Sequence, residues 1–419
     1  MLIGTQDMLL SRALNRGYAS PRARWPMEFG LLNQDCLWIM DEIQLMDVGL
    51  ATSAQLQAFR DNDTAHGKSL RPSFTWWMSA TLQPDWLQKS PDTKELTRDL
   101  PVTRISPQAR AGPLWDPDQV SKPLVVERFN TTTALAKRLI DEHIDTGHGA
   151  NGQTLVVLNT VERAIEVFNA VEKEKEKKRS KSRLTNTDIR LIHSRFRPIE
   201  RDKWRNEFLN KDACASGTDH IIVATQVVEA GVDISAGLLV TELAPWSSLV
   251  QRFGRCARWG GQAKVIVADL GLKGDKAKPY EEEALVAARE VLAYLSDVAP
   301  LHLETFEEDD AELLPRLYPY EPAHLLLRHE LDELFDTTPD LTGVDIDISR
   351  FIRSGEERDL HVFWADIAPK TDPLPDLKPL RKTLCPVPFL KTRDWLCGKE
   401  SSTTKVPHLK PAKRAWIWN

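Results

Sequence analysis

Apolar residues fall along this chain in short blocks, and the spacing within and between the blocks predicts its elements. Thr154–Leu158 (TLVVL), Ile189–His193, His220–Ala224 (HIIVA) and Lys264–Asp269 (KVIVAD) each have the length of one strand buried on both faces. Between them lie helical patterns. Val161 to Lys177 sets Ala164, Ile165, Phe168 and Val171 on one side, and Pro198 stands where a helix can start. Strand alternating with helix predicts an α/β fold with a parallel sheet covered by helices on both faces. Nearer the start, Leu2–Thr5 reads as the end of a strand, Asp7–Leu14 as a helix and Leu37–Met40 (LWIM) as a buried strand. A polar, Pro-rich stretch from Asp92 to about Pro123 reads as an interdomain linker. Past about Asp275 the pattern changes to helices over Tyr280–Leu295 and Pro322–Phe335, a short strand at Asp345–Ser349 (DIDIS) and a Pro- and Lys-rich tail. The expected division is 1–122, 123–275 and 276–419.

Composition narrows the class. A chain of 419 residues, 42% hydrophobic and 28% charged, is long enough for two or three domains that each bury a core. No apolar run approaches the ~20 residues of a spanning helix. The first residues lack the pattern of a secretion signal, so a cytoplasmic location without a membrane partner is expected. Cys36, Cys214, Cys256, Cys385 and Cys397 are scattered without a CxxC pair, which predicts reduced thiols rather than disulfides or zinc. With a net charge of −6, nucleic-acid binding has to come from local basic grooves.

Polar residues at the carboxyl ends of buried parallel strands are where α/β sheets place their sites. Asp41 and Glu42 follow LWIM: one carboxylate can hold the waters of a magnesium ion and the other can take a proton from an attacking water. A charged helix cap is the plainer alternative. Thr225 and Gln226 follow HIIVA in the same way. Arg252, Arg255 and Arg258, three apart, are expected along one helical face, where a polyanion would offset their repulsion and where a solvated basic face is the alternative. Ser194, Arg195 and Arg197 are placed to meet a phosphate backbone, and His193 reads as a satisfied structural histidine. The EKEKEKKRSKSR tract reads as a solvated helix end and loop. Asp336, Asp340, Asp345 and Asp347 fit no EF-hand spacing and read as turn and cap residues.

The ordered set DEIQ (41–44), SAT (79–81), ATQVVEAGVDIS (224–235) and QRFGRCAR (251–258) resembles the motif series of superfamily 2 helicases. GTQDMLLSRALNRGY, LWIMDEIQLM, LIHSRFRPIER and LFDTTPDLTGVDIDISRFIR extend the resemblance to the helicase-nuclease of type I CRISPR systems, in its I-U or I-G branch. That resemblance implies tandem RecA-like lobes, the first incomplete, followed by a mainly helical C-terminal region. It implies ATP and Mg2+ as cofactors. Asp41 and Glu42 would serve the metal and hydrolysis, Gln251, Arg255 and Arg258 the triphosphate, and Asp233 the ribose side. Thr5, Ser194, Arg195 and Thr225 would meet nucleic acid, and Ser79, Ala80 and Thr81 would couple the two activities. An arginine finger of this kind stabilises the charge that spreads over a transferring phosphoryl group. The implied partners are single-stranded DNA and a CRISPR surveillance (Cascade-like) complex.

The sequence departs from that pattern in two places. No GxxxxGK[ST] loop precedes Asp41; the only Gly-Lys-Ser, Gly67–Ser69, follows it and has Asn62 where the first Gly belongs. No His-Asp doublet of an HD nuclease occurs either. The expectation is therefore the carboxy-terminal majority of a DNA helicase motor, which hydrolyses ATP only when a separate chain supplies the phosphate loop, and whose incomplete first sheet has an unpaired edge. A non-catalytic remnant that binds nucleic acid or a CRISPR complex, and an RNA helicase of the same superfamily, are the alternatives.

Overall fold

The strand-length apolar blocks assemble into one sheet. In the computed structural model, which describes residues 1–96, 100–106, 109–110, 112, 114–116, 118–145, 152–177, 184–214, 218–336, 346–354, 359–363, 378–389 and 416–418, six strands run in parallel in the order β4-β10-β8-β5-β7-β6. They are β4 (Leu124–Arg128), β5 (Gln153–Val157), β6 (Asp188–Ile192), β7 (His220–Ala224), β8 (Leu238–Glu242) and β10 (Lys264–Asp269). The central strands β5 and β8 are buried at every position, which is why they read as unbroken apolar runs rather than as alternation. Leu135, Leu139 and Ile140 of the Thr132–Asp145 helix meet Ala164, Val167 and Val171 of the Val161–Lys175 helix in the core beside Val156, Val223, Val240 and Ile266. Each of these Leu, Ile and Val side chains stabilises the fold by about 1.5–3 kcal/mol relative to exposure. The parallel direction places Leu158, His193, Thr225, Leu243 and Leu270 just past the carboxyl ends of five strands on one edge of the sheet.

The chain divides into two compact units, Met1–Arg104 with Pro319–Glu356, and Ile105–Tyr318 with Glu357–Asn419. Part of the stretch read as a linker therefore belongs to the second unit: β3 (Val120–Ser121) pairs in parallel with β9 (Gly261–Gln262). In the first unit β1 (Leu37–Met40) and β2 (Phe74–Trp77) pair in parallel, with Leu37 opposite Phe74 and Ile39 opposite Trp76. The reading of Leu37–Met40 as a fully buried strand is corrected here. Trp38 and Met40 are buried, whereas Ile39 is 57% and Trp76 58% exposed. The reason is one-sided cover: the Val48–Ala65 helix lies against this pair, with Thr75 Oγ1 donating to Gln57 Oε1 (2.7 Å) and Trp77 Nε1 to Ser53 Oγ (2.9 Å).

That helix is buried at every residue from Val48 to Arg60, all round, because the returning segment 319–354 straps its other side. Gln55 donates to Leu326 O (2.7 Å) and accepts from Leu326 N (2.8 Å), Thr52 Oγ1 donates to Phe351 O (2.6 Å), and Tyr320 OH donates to Asp47 O (2.8 Å). Asp7 accepts both guanidinium bonds of Arg353 at 2.7 Å.

Other expectations change as well. Leu2–Thr5 is irregular and exposed, not a strand end, since no neighbouring strand among the described residues pairs with it. The helix expected over Pro322–Phe335 contracts to Arg328–Glu333, because Gln55 holds the Leu326 peptide in the strap. Of DIDIS, Asp345 lies outside the described residues, Ile346–Ile348 is irregular, and Ser349–Phe351 is a 3-10 turn whose Ser349 N donates to Asp347. Asp340 also lies outside the described residues. The C-terminal region adds an antiparallel sheet to its helices: β11 (Asp359–Phe363) pairs with β12 (Cys385–Pro388) and β13 (Trp416–Trp418). The four described cysteines are free thiols, and no described helix is long and apolar enough to cross a membrane.

Gln55→Ala leaves the buried N–H and C=O of Leu326 without their partner, at a cost of about 2–4 kcal/mol. Chemical denaturation is expected to show that loss, and limited proteolysis to show earlier cleavage within 319–336.

Candidate nucleotide and nucleic-acid site

In the first unit β1 ends at Met40 and the chain turns sharply through Asp41 and Glu42. Glu42 is left-handed (φ 52°), a conformation that costs a side-chain-bearing residue energy and is retained where the surroundings enforce it. Enforcement comes from both sides: Asp41 Oδ1 accepts from Glu42 N (3.0 Å), and Ile43 N donates to Met78 O (3.2 Å) at the end of β2. Asp41 is exposed and Glu42 half-buried. The Glu42 carboxylate accepts from Gln44 Nε2; Ser79 Oγ donates to Gln44 Oε1 (2.7 Å) and accepts from Thr81 N (3.0 Å). A continuous hydrogen-bonded chain thus joins the carboxylate pair to Ser79 and Thr81, with Ala80 exposed between them. Gln44 is the residue that sequence reasoning passed over; its place in the DEIQ string was the available signal.

Thr5 is exposed and caps the Gln6–Ala13 helix, accepting from Met8 N (3.4 Å). Gln6 beside it donates to Met46 O (2.7 Å) and Ile352 O (2.5 Å), so the carboxylate turn and the strap share one side chain.

In the second unit the expected row of arginines on a helical face is overturned. The helix is Trp246–Phe253; it ends at Gly254, and Arg255 and Arg258 lie in the following loop, where Ala257 is left-handed (φ 40°). The three arginines have separate environments. Arg252 is 0% exposed: Nε donates to Glu229 (2.8 Å), Nη1 to Thr241 Oγ1 (2.9 Å) and Glu242 O (3.1 Å), and Nη2 to Asn159 Oδ1 (3.0 Å). Arg255 is buried, its guanidinium donating to Val232 O (2.9 Å) and Glu229 O. Arg258 is partly exposed and pairs with Asp233 (2.9 Å), while its amide donates to Ser235 Oγ (2.9 Å). The structure therefore brings Asp233, Arg255 and Arg258 together and leaves Gln251 half-buried on the helix. Burial pushes the Glu229 and Glu242 carboxyls up, against the pull of Arg252 on the first and Arg163 on the second.

Thr225 is 2% exposed, so its hydroxyl is not presented to solvent in this conformation. Ser194 is exposed, Arg195 pairs with Glu162 (2.6 Å), and Arg197 pairs with Glu200. His193 is buried against Phe196 and accepts from Arg195 N (3.2 Å), a structural role. Burial, aided by Arg195, pulls its pKa down from 6.5 to about 4.

Two outcomes are expected. Arg252→Met strands Glu229 in the interior and lowers stability by about 3–5 kcal/mol, whereas Arg258→Met, at a partly exposed pair, costs less than about 1 kcal/mol; urea unfolding distinguishes them. The depressed His193 pKa means that the unfolded chain binds the proton first as pH falls from 6.5 to about 4, so stability is lost across that window. His193→Gln is expected to lose roughly 3 kcal/mol less than the unsubstituted chain between pH 7 and pH 4.

Residues 150–260 match the family model described as "CRISPR-associated nuclease/helicase Cas3, C-terminal". The CRISPR-associated helicase Cas3 of Thermoproteus tenax is 30% identical over 140 residues, which cover 33% of this chain and 21% of that protein. The CRISPR-associated nuclease/helicase Cas3 of Methanothermobacter thermautotrophicus is 26% identical over 217 residues, 48% of this chain and 23% of the relative. The matched region thus spans about a fifth of these relatives' length. In fold, a crystal structure of a CRISPR-associated protein aligns with a TM-score of 0.59 at 16% identity, covering 92% of this chain and 48% of that one. T. fusca Cas3 aligns at 0.52 and 19% identity, covering 74% and 39%. These likenesses fit the parallel six-stranded sheet to a RecA-like lobe. Within residues 150–260, therefore, this chain is similar to the C-terminal part of the CRISPR-associated nuclease/helicase Cas3 family.

Proposed function

We propose that the chain is the DNA-translocating part of a CRISPR-associated, ATP-dependent helicase that acts in the cytoplasm on single-stranded DNA delivered by a surveillance complex. The observation that carries this reading is the hydrogen-bonded chain from Glu42 through Gln44 to Ser79 and Thr81, which gives a change at the carboxylates a direct route to the next strand end. The carboxylates suit a nucleotide-bound magnesium. Asp41 is exposed at a strand end, and no group of three or more potential protein ligands occurs among the described residues, so the ion would take its other oxygens from water and phosphate. Bound Mg2+ and ATP would supply the phosphoryl group and neutralise its charge. The chain's own residues would orient it: Asp41 holds the ion's waters, Glu42 accepts the proton of the attacking water, Gln251, Arg255 and Arg258 meet the triphosphate, and Asp233 meets the ribose. Thr5, Ser194, Arg195 and Thr225 would face the DNA, Thr225 only after the turn above it opens.

The divisions 1–122, 123–275 and 276–419 would be the functional regions of this motor, distinct from its two compact units. A phosphate loop would come from another polypeptide segment, and the exposed face formed by Leu37, Ile39, Phe74 and Trp76 is where added strands and helices would be seated.

The test is ATP turnover and DNA binding by the purified chain, with Asp41→Ala and Glu42→Ala as controls. The expected result is single-stranded DNA binding without turnover above the controls, and DNA-stimulated turnover once a first-lobe polypeptide bearing a phosphate loop is added. Turnover indifferent to both carboxylates, or no DNA binding, would overturn the motor reading; preference for single-stranded RNA would change its substrate.

A further inference from the structure

Lys122 directly follows β3 in the second unit and is 2% exposed. Its Nζ donates to Phe253 O at 2.9 Å, the last carbonyl of the Trp246–Phe253 helix, where a cation is favoured by the helix dipole. Asp297 fixes the backbone from the other side, accepting from Lys122 N (2.9 Å) and Ser121 Oγ (3.0 Å). The same stretch holds the far end of the loop: Gly261 N donates to Gln119 O and Ala263 N to Ser121 O, both at 3.0 Å, through the β3–β9 pair. Residues 119–122 therefore grip both ends of 254–260, the segment that carries Arg255 and Arg258. Burial lowers the Lys122 pKa, and Cys256 and Asp297 act against that. A buried ammonium is unfavourable where an apolar side chain of equal length would fill the same space, so its retention at a helix end adjoining this loop calls for a role.

We propose that Lys122 is a positioning residue that ties β3 to the arginine-bearing loop, so that the placement of Arg255 and Arg258 depends on the course of residues 119–122. The functional consequence rests on the reading of Arg255 and Arg258 as triphosphate contacts; the clamp itself does not.

Hydrogen–deuterium exchange on the full chain separates the two. In Lys122→Met the amides of 254–261 are expected to exchange at least about tenfold faster, with β5, β7 and β8 within about twofold of the unsubstituted chain. Lys122→Arg, which keeps the charge, restores protection. Loop exchange within about twofold in Lys122→Met, or a rise spread evenly over the second unit, overturns the clamp. If Lys122→Met does not fold, Asp297→Asn is read at the same amides, and a flat profile there overturns it equally. Binding of the fluorescent probe mant-ATP, with the first-lobe polypeptide bearing a phosphate loop present, gives the second arm. Loss in Arg255→Ala with none in Lys122→Met overturns the positioning role. The same binding, or none, in the unsubstituted chain and both variants, together with a loosened loop, overturns the nucleotide reading and leaves the clamp standing.

Discussion

The guanidinium of Arg252, buried without exposure among Glu229, Thr241, Glu242 and Asn159, is the constraint on which the second unit's candidate site depends. Its partners come from three different strand ends, so one side chain sets the spacing of the turns after β5, β7 and β8. An ion pair this deep gives up two hydration shells and is favourable only when every donor is matched. Arg252 meets that condition, and the consequence is rigidity. The turn that carries Glu229 cannot move without breaking the pair, and Arg255 is pinned to the same turn through its carbonyls. Arg258, free of that network and facing Asp233 in a partly exposed pair, is the arginine able to change partners at small cost.

In the first unit the half-buried Glu42 carboxylate is met by neutral partners instead. Glu42, Gln44, Ser79 and Thr81 form a line of moderate hydrogen bonds rather than a buried salt bridge, so the line can rearrange without stranding a charge. The second unit thus carries a rigid ionic anchor and the first a pliable polar relay.

Much of this was legible because the second unit's strands are local and buried on both faces. TLVVL, HIIVA and KVIVAD could pack in few other ways, and the strand ends carried the polar residues that mark the site. What the sequence hid was non-local. QRFGRCAR at helical spacing gave no sign that Gly254 would end the helix and send its three arginines into a core anchor, a loop anchor and a surface pair. Leu37 and Ile39 look like core from composition, and only the one-sided cover of β1 and β2 reveals them as exposed. The strap was out of reach too: nothing local in PAHLLLRHELDELF shows that Gln55 claims its Leu326 peptide from about 270 residues away.

The left-handed Glu42 has an evolutionary corollary. Glycine relieves the strain of a positive φ without steric penalty, and such replacements are among the ordinary routes to a sturdier fold. Selection for endurance alone would therefore drift toward glycine at this position and erase the carboxylate. A lineage that keeps glutamate there bears a persistent conformational burden, and on the proposed role of Glu42 related chains with glycine or asparagine at the same turn would be those released from its chemistry.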